Sequence, residues 1–235
     1  MKDPQLDRLL EEAGGASAAP LDAGLRARLA AGIPSPLQTV RPLPPAWILT
    51  CGVVLICAGV GVAGAARAGL YGIERLGPWA AVPILAVLAL LAWLAGEKLV
   101  AEMIPGHAHR LSPGALPVIV SGALLAVFAL RFTDYHTDQF LSAGLICLFT
   151  GLAHAVPTAV LLSILLRRGF AVSSVSAGLA GGALAGVAGV TMLELHCANF
   201  QALHVLVWHT AVVPVSAAAG AAVGWAVRWW ERDSR

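Results

Sequence analysis

The chain has 235 residues, 58% of them hydrophobic and 12% charged, with a mean hydropathy of +0.80. A soluble domain carries about twice that charged fraction, so a single soluble domain is excluded, together with a disordered chain, a nucleic-acid-binding surface and a disulfide-stapled secreted module. Fifteen basic against thirteen acidic residues leave a net charge of +2, too even to imply a polyanionic partner.

Ten of the twenty-eight charges fall in residues 1–46, and the rest occupy short gaps between long apolar runs. The N-terminal region therefore reads as a soluble tail. Asp3-Pro4 caps a first helical pattern with Leu6, Leu9 and Leu10 on one side, and Gly14-Gly15 ends it. A second pattern sets Leu21, Leu25, Leu29 and Ile33 four residues apart, with Arg26 and Arg28 turned away from that stripe. A stiff Pro-rich linker, Pro34 to Pro45, then leads to Trp47. Helices this short are marginal alone, so the leucine stripes need a surface: the membrane, the protein's own loops, or a cytoplasmic partner on which the tail folds.

Six segments can cross a bilayer core, which takes roughly 17–25 apolar helical residues. They are Trp47–Ala66, Trp79–Gly96, Pro113–Leu130, Leu141–Leu166, Ser174–Leu193 and Leu203–Val227. Continuous apolarity, without the alternation of barrel strands, selects helices. The expected fold is thus an all-α integral membrane protein: a cytoplasmic tail over 1–46, a six-helix domain over 47–230 and a cytoplasmic end over 231–235. Pro83, Pro117, Pro157 and Pro214 would kink their helices, and Trp residues near the segment ends would anchor them at the interfaces. With six spans both termini share a side that holds twelve Lys and Arg residues, against Arg67, Arg75 and Arg131 opposite. The positive-inside rule then puts both termini in the cytoplasm. No signal peptide is expected, because the first apolar run follows a mixed-charge tail.

Within the spans, Gly178, Gly182 and Gly186 repeat every four residues in the fifth, with Gly181, Ala185 and Gly189 alongside. Small residues at that spacing allow close helix packing, and Gly220 and Gly224 make the sixth span a natural partner. Chemistry-bearing residues gather on the outer side. Glu194, His196, Cys197 and His204 lie in the loop between the fifth and sixth spans, His209 follows just inside the sixth, and Asp134, His136 and Asp138 lie in the gap before the fourth. Thiolate and imidazole could hold zinc or copper, though the spacing matches no zinc motif, and His204 and His209, five apart, splay on a regular helix. Interfacial histidines bonding headgroups or one another are the alternative. Cys51 and Cys57 read as packing residues. Cys147 in the fourth span and Cys197 at the mouth of the fifth lie on the oxidising side, and could pair only if their Cα atoms approach within about 7 Å. His154, near the middle of the fourth span, reads as an interhelical hydrogen-bonding group.

Several landmarks in order resemble the NrsF-type anti-sigma factors of bacteria. They are Val40-Arg41-Pro42-Leu43 followed by Pro45 and Trp47; Cys147-Leu148, Gly151, Pro157 and Arg167-Arg168-Gly169; and Gly178 through Gly189 leading to Glu194-Leu195-His196-Cys197 and Trp208. Two departures stand out: Ala198 where that family commonly has proline after the His-Cys pair, and His209 where it commonly has tyrosine. The resemblance implies a regulator without catalytic residues. Such a protein would hold an extracytoplasmic-function sigma factor at the bacterial inner membrane, with the lipid bilayer and sigma as its partners and no direct contact to nucleic acid. It also implies Cys147 and Cys197 as sensors of heavy metals or oxidants. No obligatory cofactor is expected, but zinc, copper or cadmium could bind transiently, assisted by His196, His204 and His209. Sigma would be bound through Leu6, Leu9, Leu10, Leu25 and Leu29. Against a transporter stands the absence of charge in the span cores. Against a haem protein stand the unmatched depths of His154 and His209, roughly 18–20 Å and 9 Å below the outer ends of their helices.

Overall fold

A computed structural model describes residues 23–24, 27–28, 44–104, 111–166 and 173–233. The chain divides into two units, Met1–Leu43 and Pro44–Arg235. In the first, Ala23, Gly24, Ala27 and Arg28 are helical and exposed, whereas Leu6, Leu9, Leu10, Leu25 and Leu29 lie outside the described residues. The second unit is all-helical, with no strand among the described residues. It comprises α1 (Ala46–Ala68), α2 (Tyr71–Leu76), α3 (Pro78–Met103), α4 (Ala115–Arg131), α5 (Phe140–Leu166), α6 (Ser174–His196) and α7 (Ala202–Asp233).

Local chemistry sets the helix ends. Pro78 opens α3 at its first turn, where a missing N–H costs nothing, and Ser173 caps α6 by accepting the Ser176 N–H at 3.3 Å. Gly69 ends α1 at φ 109°, a conformation that side chains disfavour. Five helices, α1, α3, α5, α6 and α7, are long and apolar enough to cross a membrane. The sixth apolar helix, α4, has 17 residues and spans about 25 Å at 1.5 Å per residue. Large apolar side chains point outward all round, among them Leu55, Val118, Leu130, Ile146 and Phe149. Such a surface suits lipid rather than water.

Three differences from the sequence expectation stand out, besides α7 running on from Val227 to Asp233. The short helix α2 was not foreseen; six residues between two spans carry too little periodicity to show. Second, α3 continues past Gly96 to Met103, where Lys98 Nζ and Glu102 Oε1 form an i,i+4 ion pair at 2.6 Å. That pair supports the extra turns. Third, α6 runs on to His196, so Glu194 and His196 belong to its last turn, and the connecting loop is only residues 197–201.

The bundle is built around α6. Its most apolar window is 72% buried, against 22–39% for the other four long helices. α7 runs antiparallel along it at backbone distance. A Cβ on Gly178 would meet the Gly220 carbonyl, one on Gly182 the Ser216 carbonyl, and one on Gly186 would lie 2.7 Å from Val213 Cα. Gly181 faces Leu99 of α3, and Gly189 the backbone of Gly151 in α5. α3 is antiparallel to α1, since Gly96 meets Val53 and Thr50. Arg131 at the end of α4 donates to the Trp79 carbonyl at 2.7 Å, which fixes the same sense for α4 against α3. The ends of α1, α4 and α6 therefore gather with the starts of α3, α5 and α7, at the opposite end of α7 from Asp233.

Candidate thiol and imidazole site

At that end, residues from three elements converge. Cys147 comes from the early turns of α5. Cys197 follows the last residue of α6, fixed by its N–H to the Leu193 carbonyl at 2.7 Å. His204 and His209 come from the first turns of α7. The Cys147 and Cys197 sulfurs stand 3.6 Å apart and both cysteines are free. Cys197 Sγ is 3.7 Å from His204 Nε2, and the His204 and His209 rings meet edge to face at 5.3 Å. One ligand atom from each of the four lies within 4.8 Å of the others. Cys197, His204 and His209 are buried, while Cys147 is half-buried.

The two histidines converge because α7 does not begin as a regular α-helix. Residues five apart on an α-helix point about 140° apart, which is why sequence spacing sets them apart. Here Val205–His209 form a π-helical turn. Its i→i+5 hydrogen bonding brings residue i+5 back over residue i, and such turns concentrate at functional sites.

Glu194, which the sequence places in the outer loop without a partner, enters the site. Glu194 is buried in the last turn of α6, and its Oε1 lies 2.6 Å from His209 Nδ1. The carboxylate thereby fixes the ring orientation, and a carboxylate on one imidazole nitrogen is the usual support for a ligand at the other. His209 Nε2 and His204 Nδ1 are both buried without a hydrogen-bond partner. Besides its place in the Glu194-Leu195-His196-Cys197 landmark, Glu194 is marked in the sequence by isolation: it is the sole acidic residue between Asp138 and Glu231. Nothing local marked its partner fifteen residues on.

His196 is directed elsewhere. Its Nδ1 meets the Gly69 carbonyl at 2.8 Å and its ring packs on Tyr71. His154 likewise turns to its own helix, 2.8 Å from the Thr150 carbonyl, and Cys57 bonds the Leu184 carbonyl within the core. The neighbouring loop between α4 and α5 clasps the site from outside. Its Asp134 carbonyl accepts the Ala202 N–H at 2.5 Å, and Phe132 stacks on Phe200 at 5.7 Å. Asp134 and His136 form an exposed pair at 2.5 Å. Their hydrogen bond holds the Asp134 carboxyl below its ordinary value and raises the His136 imidazole. At Cys197, the hydrogen bond with Cys147 and then burial push the thiol up, while His204 and His209 partly oppose them.

Chemically, the arrangement offers two soft sulfurs in contact with two imidazoles. A disulfide would need the sulfurs to close from 3.6 Å to about 2.05 Å. Alternatively, both sulfurs could bind one thiophilic ion. No curated protein and no solved structure matches the chain. The family model for NrsF, negative regulator of sigma F, matches residues 29–230. With that match covering most of its length, the chain belongs to the NrsF family.

Proposed function

We propose that this protein is an anti-sigma factor of the bacterial inner membrane. It crosses the bilayer six times with both termini in the cytoplasm, holds an extracytoplasmic-function sigma factor through residues 1–46, and releases it when an envelope metal or oxidant reaches Cys147 and Cys197. The observation that carries the sensing step is the 3.6 Å approach of two free thiols from helices fifty residues apart, at the end of the bundle away from the C-terminus. Six crossings accommodate α4, whose length of about 25 Å suffices with slight thinning of the bilayer. Twelve Lys and Arg residues against three give the orientation. The leucine stripes of the tail supply the docking face.

Burying one leucine is worth roughly 1.5–3 kcal/mol. Replacing Leu6 and Leu25 by Asp should therefore weaken retention of sigma in membrane fractions by about two orders of magnitude or more. If a variant lacking residues 1–46, inserted normally, still retains sigma at the membrane, the docking assignment is wrong. An impermeant thiol reagent should label a cysteine introduced at the exposed Thr137 from the periplasmic face of spheroplasts, but not a cysteine placed in the tail. The reverse pattern would overturn the orientation.

A further inference from the structure

We infer that Cys147, Cys197, His204 and His209 form a closed tetrahedral site that holds a resident Zn2+ ion, with Glu194 as the positioning residue that presents His209 Nε2. The inference deepens the sensor reading above, and depends on it only for what loss of the ion would do to sigma.

Distances favour it. With Zn–S near 2.3 Å and Zn–N near 2.05 Å, a tetrahedral S2N2 site has an S–S edge of about 3.8 Å and S–N edges of about 3.6 Å. The sulfurs stand 3.6 Å apart, and Cys197 Sγ is 3.7 Å from His204 Nε2. The widest of the four-atom separations, no more than 4.8 Å, needs to close by about 1 Å. Two thiolates and two imidazoles at tetrahedral spacing suit zinc better than calcium, magnesium or square-planar copper. His209 Nε2 is buried beside the thiols with no partner, while Nδ1 is occupied by Glu194. A fully buried imidazole nitrogen without a hydrogen bond is costly, and a metal would satisfy it. The π-helical turn then has a clear consequence, since it is what brings His204 and His209 onto one side.

Binding exchanges protons for the ion. Two S–H bonds break, two Zn–S and two Zn–N bonds form, two protons leave to solvent, and no electron is transferred. Four protein ligands leave no open position for a catalytic water, so the ion acts as a tie between α5, the end of α6 and the start of α7.

The test is metal content of the full-length protein, purified in detergent under reducing conditions and washed with a weak chelator. The expected result is about one zinc per chain, with stoichiometric binding lost in Cys147→Ser and in His209→Ala, and roughly 10–100-fold weaker in Glu194→Gln. Cobalt in place of zinc should give the intense visible bands of a tetrahedral site together with a thiolate charge-transfer band. Should a variant misfold, the wild-type cobalt spectrum still decides, because pale octahedral bands overturn the proposal. So does reduced wild-type protein that takes up no stoichiometric zinc, or His209→Ala binding zinc as tightly as wild type. Sigma retention, assayed on the same preparations, separates the two readings: zinc bound without any effect on sigma leaves the site standing and removes the sensor. Normal sigma release from zinc-free protein does the opposite.

Discussion

The two ends of the α6–α7 pair are built on opposite principles. Along the seam from Gly178 to Gly189, contact is made by backbone and small side chains, and a single Cβ at Gly178 or Gly182 would collide with a carbonyl of α7. At the mouth the same two helices meet through polar side chains: a carboxylate, two imidazoles and the thiol that follows α6, joined by the Cys147 thiol of α5. The seam leaves no room for a side chain, while at the mouth two imidazole nitrogens, His204 Nδ1 and His209 Nε2, are buried without a hydrogen-bond partner. A change in bonding at the mouth is therefore delivered to a pair of helices that can slide or pivot on glycine but cannot separate cheaply.

The largest stability effect is expected at the mouth. Glu194→Ala strands the buried His209 and should cost about 3–5 kcal/mol in a reversible unfolding assay in detergent. Replacing both partners with apolar residues, Glu194→Leu with His209→Phe, should recover most of that loss. If it does not, the pair contributes something other than mutual satisfaction. Next comes the seam. Gly182→Ala should cost about 1–3 kcal/mol by overpacking. Gly59→Ala in α1, where a Cβ meets nothing within 4 Å, should instead stabilise by about 0.5–1 kcal/mol. Equal responses at the two glycines would dissolve the distinction between seam and periphery.

The smallest effect belongs to the exposed Asp134–His136 pair beside the mouth. The raised His136 value means that its contribution is full below its ordinary 6.5 and lost as pH rises through the raised one. The lowered Asp134 value means that its share is present above its ordinary 3.8 and lost as pH falls through the lowered one. The pair should hold between those limits. Asp134→Asn should bring the His136 titration, followed by NMR, back down towards 6.5, with little change in global stability.

How much of this was legible in the sequence follows from what each feature depends on. The apolar spans were readable because each is a continuous run set by the membrane, and the glycine seam because Gly178, Gly182 and Gly186 share a helical face. The extension of α3 was hidden by its charges: Lys98 and Glu102 looked like a loop until they paired with each other. Cys147 and Cys197 were reached through resemblance, since nothing in a separation of fifty residues places two sulfurs together. His204 and His209 looked splayed because a π-helical turn is a local register change with no composition of its own. Glu194 reads from the sequence as a loop residue, and nothing local points to its pairing with His209 across two helices.

The central claim is that the thiol pair at the mouth governs the tail's hold on sigma. Its most direct test is the amount of sigma factor remaining in the membrane fraction before and after brief exposure of cells to cadmium or to the thiol oxidant diamide. The wild-type protein should lose most of its bound sigma, whereas Cys147→Ser and Cys197→Ser, inserted and retaining sigma beforehand, should keep theirs through the challenge. Release from both variants to the same extent as from wild type would contradict the account.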